Sequence, residues 1–522
     1  STEGVIGLLE EPPTLNPLYT DNWQAALLRD LYLRGLWSFD ENNQPVPQLA
    51  AEIPGEANGG ISNGGLTLNI RLNPAARWSD GQPLTSRDFV FTYQMILAGR
   101  NTAPSRSPYA DVIVSVTGPD ARPVVVEFRQ PYAAWAGSLF RYVLPEHVLG
   151  PVFAAAGTLD DAAWNRAPTV GIGPFTFQNW QPGSQIAFAR DPNWLHPARF
   201  ERVSVLFLPD SAALSSALRS GQADVGGLLR LHDANKLSNG KVQGIERTAG
   251  YNEGLFFNLD PATGHPALQD PNVRRALALA TDRRALNREI MGNSAQLAVT
   301  FWDGLPDYRD RGLALLPYDS DTAGRLLQNS GWIDRDGDGV RERDGRLLRL
   351  RYRTTPTLER QRTAERLAQL WGQVGVQLDV QTAPSGSLFA GFDTGGVLAT
   401  GAFDVAQMAA RPSFPDPDAA AVWGCAAVPG AVNPAGRNFA HYCTAAMEAL
   451  LLRGLIVLNP AARAQTYRQI QSLMLSDTLW VGLWRDPDRW AVRSSLYGVR
   501  LSGATPLWNV EDWTWQDPRD RP

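Results

Sequence analysis

The sequence predicts a mixed α/β fold built from several domains, and three observations predict it. The chain has 522 residues, and at roughly 100–200 residues per domain that length implies two to four domains. Apolar residues make up 44% and charged residues 19%, the balance of a chain that buries large cores and the opposite of a disordered one. Strand-type and helix-type patterns alternate along it, but without a simple βαβ rhythm.

The elements follow in chain order. Leu66, Leu68, Ile70 and Leu72 alternate with Thr67, Asn69 and Arg71, the pattern of a half-buried strand. Thr85 and Asp88 form a capping-box pattern ahead of Phe89, Tyr93, Ile96 and Leu97, and Gly99 closes that helix. Val124 to Phe128 and Val203 to Leu208 read as strands. Asp270-Pro271 places an N-cap and a first-turn proline before a helix beginning at Val273, and Asn459-Pro460 does the same for a helix through Met474. Leu348 to Tyr352 and Val376 to Val380 read as strands. Between them, Arg362 to Val374 puts Leu367, Leu370, Trp371 and Val374 on one helical face that stops at Gly375. Segments rich in Gly, Pro, Asn and Ser at 54–65, 100–108, 240–254 and 411–438 read as loops.

Composition excludes several classes of function. No segment approaches 18 uninterrupted apolar residues, so no helical membrane span is expected. The net charge of −5 argues against nucleic-acid binding. Lys236 and Lys241 are the only lysines among 48 cationic residues, and no polybasic membrane segment is present. The sequence opens at Ser1 without Met or signal peptide, as expected of a processed chain. Cys425 and Cys443 stand 18 positions apart in a Gly/Pro-rich stretch. They read either as a local disulfide, worth roughly 3 kcal/mol for a loop of that length, or as two buried thiols. A bridge would imply an oxidising, extracytoplasmic compartment.

Catalytic signatures fail on context. Gly60-Ile-Ser-Asn-Gly64 leads into a strand, whereas a nucleophile elbow needs a strand before it and a helix after. Gly171-Ile-Gly173 lacks the third glycine and the helix of a dinucleotide site. The histidines, at 147, 196, 232, 265 and 441, show no metal-ligand spacing. Asp334, Asp336 and Asp338 with Gly339 match the start of a calcium loop, but position 12 is Gly345, where a bidentate carboxylate is required. The segment reads as an Asp/Gly turn, with structural calcium at Asp334, Asp336 and Asp338 as the alternative; no other cofactor is expected. A large chain with 17 tryptophans and no catalytic constellation leans toward a binding protein.

Motifs along nearly the whole chain then line up, in order, with one family. They are Glu11-Pro-Pro-Thr-Leu-Asn-Pro17, Leu33-Arg-Gly-Leu-Trp37, Pro47-Gln-Leu-Ala50, Trp78-Ser-Asp-Gly-Gln-Pro-Leu-Thr-Ser-Arg-Asp-Phe89 and Gly171-Ile-Gly-Pro-Phe175. Arg190-Asp-Pro-Asn-Trp194, Phe257-Asn258, Asp270-Pro-Asn-Val-Arg-Arg-Ala276, Asp282-Arg283, the Gly331–Gly339 turn, Gly375-Val-Gln-Leu378 and Asp416-Pro-Asp418 continue the series. The sequence resembles the family 5 extracellular solute-binding proteins of ABC importers, of the dipeptide/oligopeptide-binding type.

The resemblance implies a periplasmic binding protein type II-like fold of the cluster C kind: two mixed α/β lobes joined by a hinge, plus an extra small domain. It places lobe I at 1–45, 169–255 and 486–522, the extra domain at 46–168 and lobe II at 256–485. It implies a monomer that captures a peptide or other small solute in an interlobe cleft by hinge closure and delivers it to membrane permease subunits. Family members are periplasmic or extracellular, some tethered by a lipid.

The resemblance also nominates ligand-binding residues. Tyr19, Asn22 and Trp23 follow the opening segment near the expected cleft. Relatives hold a dipeptide's ammonium with an Asp at the position of Ser413, and its carboxylate with an Arg near Arg353 and Thr354; the first anchor is absent here. Arg411 stands nearby and offers a planar donor fork to an anionic or carbonyl-bearing ligand. Trp302, Phe414 and Trp423 are candidate walls, and Asn438 lies on the approach to the pocket. A Cys425–Cys443 bridge matches one in some relatives. Peptide transport is the leading reading. An oligosaccharide, opine-like anion or metal chelate on the same fold, an extracytoplasmic hydrolase, and a chemoreceptor partner are the competing ones.

Overall fold

The computed structural model describes residues 2–229, 233–234, 236–237, 240–485 and 487–516; His232 lies outside them. The chain forms two compact units, one of Ser1–Arg247 with Pro487–Pro522 and one of Thr248–Asp486.

The first unit is built on a seven-stranded mixed sheet. Its strand order is Val242–Arg247, Asp488–Arg493, Val225–Gly226, Glu3–Leu8, Arg202–Phe207, Gln185–Arg190 and Phe175–Gln181. The N-terminal strand is central and runs parallel to Arg202–Phe207 and Val225–Gly226. Helix Ser211–Ser220, capped by Asp210, covers it with Leu214, Ala217 and Leu218, all buried against Val5 and Val242. Within the same unit a four-stranded antiparallel sheet of Ile61–Ser62, Thr67–Arg71, Pro123–Phe128 and Ile113–Thr117 packs beneath helix Ser86–Leu97. The capping box read from Thr85 and Asp88 closes that helix: the Thr85 N–H donates to the Asp88 carboxylate at 3.0 Å.

The second unit holds a five-stranded sheet ordered Gln377–Thr382, Arg349–Thr354, Val405–Ala410, Asn252–Phe257 and Trp480–Arg485. Helix Pro271–Leu279 is capped by the Asp270 side chain and helix Pro460–Ser476 by Asn459, as the Asp-Pro and Asn-Pro pairs require. Helix Leu358–Gly372 buries Leu367, Leu370 and Trp371. It starts one turn earlier than the apolar periodicity predicts, because its first turn, with Leu358 57% exposed, has no apolar face to read.

The 240–254 loop expectation is corrected. Val242–Arg247 and Asn252–Phe257 are strands, and only 248–251 connects them. Every residue of Asn252–Phe257 is buried, at the position next to Trp480–Arg485 in the sheet. Its glycine is a packing requirement: a Cβ on Gly254 would lie 2.2 Å from the Trp480 Nε1 atom. Gly254, part of what mimics a loop signal here, leaves room for that indole against the strand. Among the described residues no helix is long and apolar enough to cross a membrane.

Candidate ligand-binding site

The antiparallel pairing of Asn252 with Ala410 brings Tyr251 beside Arg411, 160 positions away in sequence. The Arg411 guanidinium lies 4.4 Å from the Tyr251 ring centre and 5.9 Å from that of Phe414. Its Nη1 donates to the Ala249 carbonyl at 2.8 Å. Gly250 makes this bend possible: it sits at φ +80°, and a Cβ there would meet the Phe414 ring at 2.5 Å. Stacking and one hydrogen bond therefore fix the plane of a half-buried guanidinium, and its other N–H donors face no protein acceptor among the described residues. Such a fork can receive a carboxylate, phosphate or carbonyl edge-on.

The turn after Arg411 is held from below. Ser413 is exposed; its backbone N–H donates to the Asp418 carbonyl at 2.6 Å. Asp416 turns inward and accepts both Nη groups of Arg463 at 2.8 and 2.9 Å. The Trp302 indole N–H donates to the Pro417 carbonyl at 2.7 Å. Asp418 accepts the Ala420 N–H at 3.0 Å. Burial pushes the Asp418 carboxyl up to about 6, opposed by that N–H and reinforced by the Asp416 charge.

This shift carries a pH dependence. An unfolded aspartate titrates near about 3.9, so the folded chain holds the Asp418 proton more tightly. Stability should rise as pH falls from about 6 toward about 4, and ionised Asp418 costs stability above that window. Because the residue is partly exposed, we expect Asp418→Asn to stabilise the protein at neutral pH by only about 1–2 kcal/mol. The variant should also lack the rise on acidification. Denaturant midpoints across that window test this; parallel curves for both proteins would refute it.

The other nominated residues have definite structural partners. Arg353 is buried and donates to the Tyr352 and Asp379 carbonyls and the Asp379 carboxylate within its own sheet. Thr354, fully buried, donates to the Gln407 carbonyl at 2.9 Å. Trp302 and Trp423 are fully buried. Trp423 stacks on Phe256 at 5.6 Å and meets Phe301 edge-on, inside the aromatic core of the unit. Asn438 donates to the Gly424 and Tyr442 carbonyls and so ties together the loop that the Cys425–Cys443 disulfide closes.

In the first unit, the Tyr19 hydroxyl donates to Asn101 at 3.3 Å, and burial with the Asp160 carboxylate holds it well above the usual tyrosine range. Asn22 caps helix Trp23–Arg29 by accepting the Ala25 N–H at 3.0 Å. Trp23, the first residue of that helix, is half-buried. The structure thus brings Arg411, Ser413 and Phe414 together on one turn and leaves Trp23 half-buried, while it commits Arg353, Thr354, Trp302, Trp423 and Asn438 to internal contacts.

Two features escaped sequence reasoning. Tyr251, 37% exposed, is the platform under Arg411. Glu253, buried on Asn252–Phe257, receives a two-pronged Arg360 pair at 2.8 Å and the Gln407 amide at 2.9 Å. Gln407 in turn accepts the Tyr352 hydroxyl at 2.6 Å. A charged residue just before the apolar run Leu255-Phe-Phe257 was the available signal.

The calcium-like turn is closed by its own carboxylates. Asp334 accepts the Gly337 and Gly339 N–H groups, Asp336 that of Asp338, and Asp338 that of Val340. The three carboxylates have oxygens within 4.8 Å of one another, and all three residues are exposed.

Comparison with known proteins places the chain in a family. Residues 44–427 match the model of the bacterial extracellular solute-binding proteins, family 5 Middle. The oligopeptide-binding protein OppA of Mycobacterium tuberculosis is 27% identical over 531 residues, covering 96% of this chain and 83% of that protein. The structure of oligopeptide-binding protein AppA from Bacillus subtilis, solved with a nonapeptide, superposes with a TM-score of 0.75 at 21% identity, covering 99% of each chain. That of NikZ from Campylobacter jejuni, solved with Ni(L-His), gives 0.78 at 23% identity, covering 98% of this chain and 99% of its own. The fold is the type II-like fold of periplasmic binding proteins, and the chain belongs to the bacterial extracellular solute-binding proteins of family 5.

Proposed function

We propose that this chain is the non-enzymatic, extracytoplasmic receptor of an ABC importer, a monomer that captures peptides and delivers them to membrane permease subunits. Its location would be periplasmic or cell-surface, free or lipid-tethered. The observation that carries the reading is the family match over 44–427. It is supported by the likeness to OppA across 96% of the chain and by a disulfide suited to an oxidising compartment. The Arg411 fork supplies what peptide capture needs, a fixed donor array for backbone carbonyls or a terminal carboxylate.

One observation favours a second reading. Ser413 stands where relatives present a carboxylate to a free ammonium, and the ionic side chain two positions before it is the cationic Arg411. A non-peptide anion, such as an opine-like acid or a metal chelate, suits that arrangement, and NikZ shares the fold. We read the Asp334 turn as structural, without a cofactor, since its carboxylates already accept backbone N–H groups.

Native mass spectrometry of the purified protein, followed by gentle denaturation, tests all of this. A heterogeneous ladder of short peptide masses is the expected result. A single discrete non-peptide mass would replace the peptide reading with the second one. A calcium adduct that only a chelator removes would overturn the turn reading.

A further inference from the structure

Arg283 opens helix Arg283–Met291 in the second unit. The residue is only 6% exposed. Its Nε and Nη2 are buried without a hydrogen-bond partner, and its side chain has no ion pair among the described residues. Burial lowers its proton affinity to a pKa of about 10, and among the described residues no carboxylate lies near enough to raise it. The guanidinium therefore stays charged at neutral pH, without a counter-charge among the described residues.

This residue borders a cavity of about 30 Å³, lined also by Val299, Ala314, Thr478, Trp480 and Gly482. A second cavity of about 40 Å³ shares Val299, Ala314, Leu475 and Trp480 with it. A single buried water needs roughly 10–15 Å³ by such a measure, so there is room for a monatomic ion. Apart from Arg283, the polar side-chain group on the wall is the Thr478 hydroxyl; the Trp480 indole N–H turns to Gly254 instead, where a Cβ would lie 2.2 Å from it. Water in such a space finds few of the two to four partners it requires and leaves the positive charge uncompensated. An anion removes both defects.

We propose that Arg283 holds a buried halide, chloride under physiological conditions, in this cavity as the counter-ion of its guanidinium. The site is an internal one of the second unit and is independent of which solute the protein captures. It makes folding of this unit sensitive to halide, because an ion bound by the folded chain alone stabilises it by mass action.

The probe is bromide, with the full chain. Crystals grown with millimolar bromide should show an anomalous peak in contact with the Arg283 guanidinium. In solution, Tm should be higher in chloride or bromide than in gluconate at equal ionic strength, and Arg283→Met should abolish that difference. A cavity without a bromide peak, or with one only at molar bromide, overturns the proposal by making the ion absent or adventitious. A halide-dependent Tm that survives in Arg283→Met also overturns it. Should Arg283→Met fail to fold, the peak in the unaltered protein decides alone.

Discussion

Replacing Asp416 with Ala should cost about 3–5 kcal/mol of stability, because it strands the Arg463 guanidinium in the core. Both side chains are over 90% buried, and the pair is two-pronged at 2.8 and 2.9 Å. Burial alone would disfavour the Arg463 charge, and Asp416 more than offsets it. Arg463 cannot turn away, since its Nε donates to the Gly454 carbonyl at 2.7 Å and its guanidinium packs against both the Tyr308 and Tyr467 rings, 5.8 and 5.7 Å from their centres. A loss of that size is a large fraction of the about 5–15 kcal/mol that holds a typical domain together. The double variant Asp416→Ala/Arg463→Met should recover much of it, because an apolar replacement of a whole buried pair is often close to neutral. Chemical denaturation of the four proteins in the cycle measures the coupling. Equal losses for Asp416→Ala and for the double variant would show that the pair is not the cause.

Arg411→Ala should weaken capture of the natural solute by about ten- to a hundredfold, the effect of losing one or two charge-assisted hydrogen bonds, with little change in stability because the side chain is half-exposed. Arg411→Lys should not restore affinity, since an ammonium cannot reproduce the planar fork or its stacking on Tyr251. Ser413→Asp should act in the opposite chemical direction: it places a carboxylate beside the fork, favouring solutes with a free ammonium and penalising anions. Titration calorimetry with the solute found by mass spectrometry measures all three. Unchanged affinity in Arg411→Ala would remove this turn from the binding surface.

The elements legible in the sequence are those whose cause is local. The helix starts at Thr85, Asp270 and Asn459 are written by residues that cap their own backbone within three positions, and each cap is present. The strand at Leu66–Leu72 shows because one face is buried and the other is not; Leu68 and Ile70 are buried while Thr67 and Asn69 are half-exposed. The strand Asn252–Phe257 was misread for the converse reason. Buried on both faces, it shows no alternation, and its glycine answers to Trp480, more than two hundred positions away.

The binding residues divide along the same line. The resemblance nominated Arg411 and Ser413 through the neighbouring Asp416-Pro-Asp418 motif, Arg353 and Thr354 through the strand that starts near Leu348, Asn438 through the approach to the pocket, and Trp302 and Trp423 as candidate walls. It could not distinguish a side chain that faces solvent from one that satisfies a buried carbonyl, because proximity in sequence does not encode orientation. By itself the sequence determined the class of fold, the helix boundaries set by caps and the family, since each rests on short-range chemistry or on many weak motifs in order. Only the tertiary structure decided that Tyr251 backs Arg411, that Asp416 belongs to Arg463 and that Arg283 stands without a counter-charge among the described residues. Each of those depends on strands and helices pairing over tens to hundreds of residues, where burial and hydrogen-bond satisfaction choose the partner.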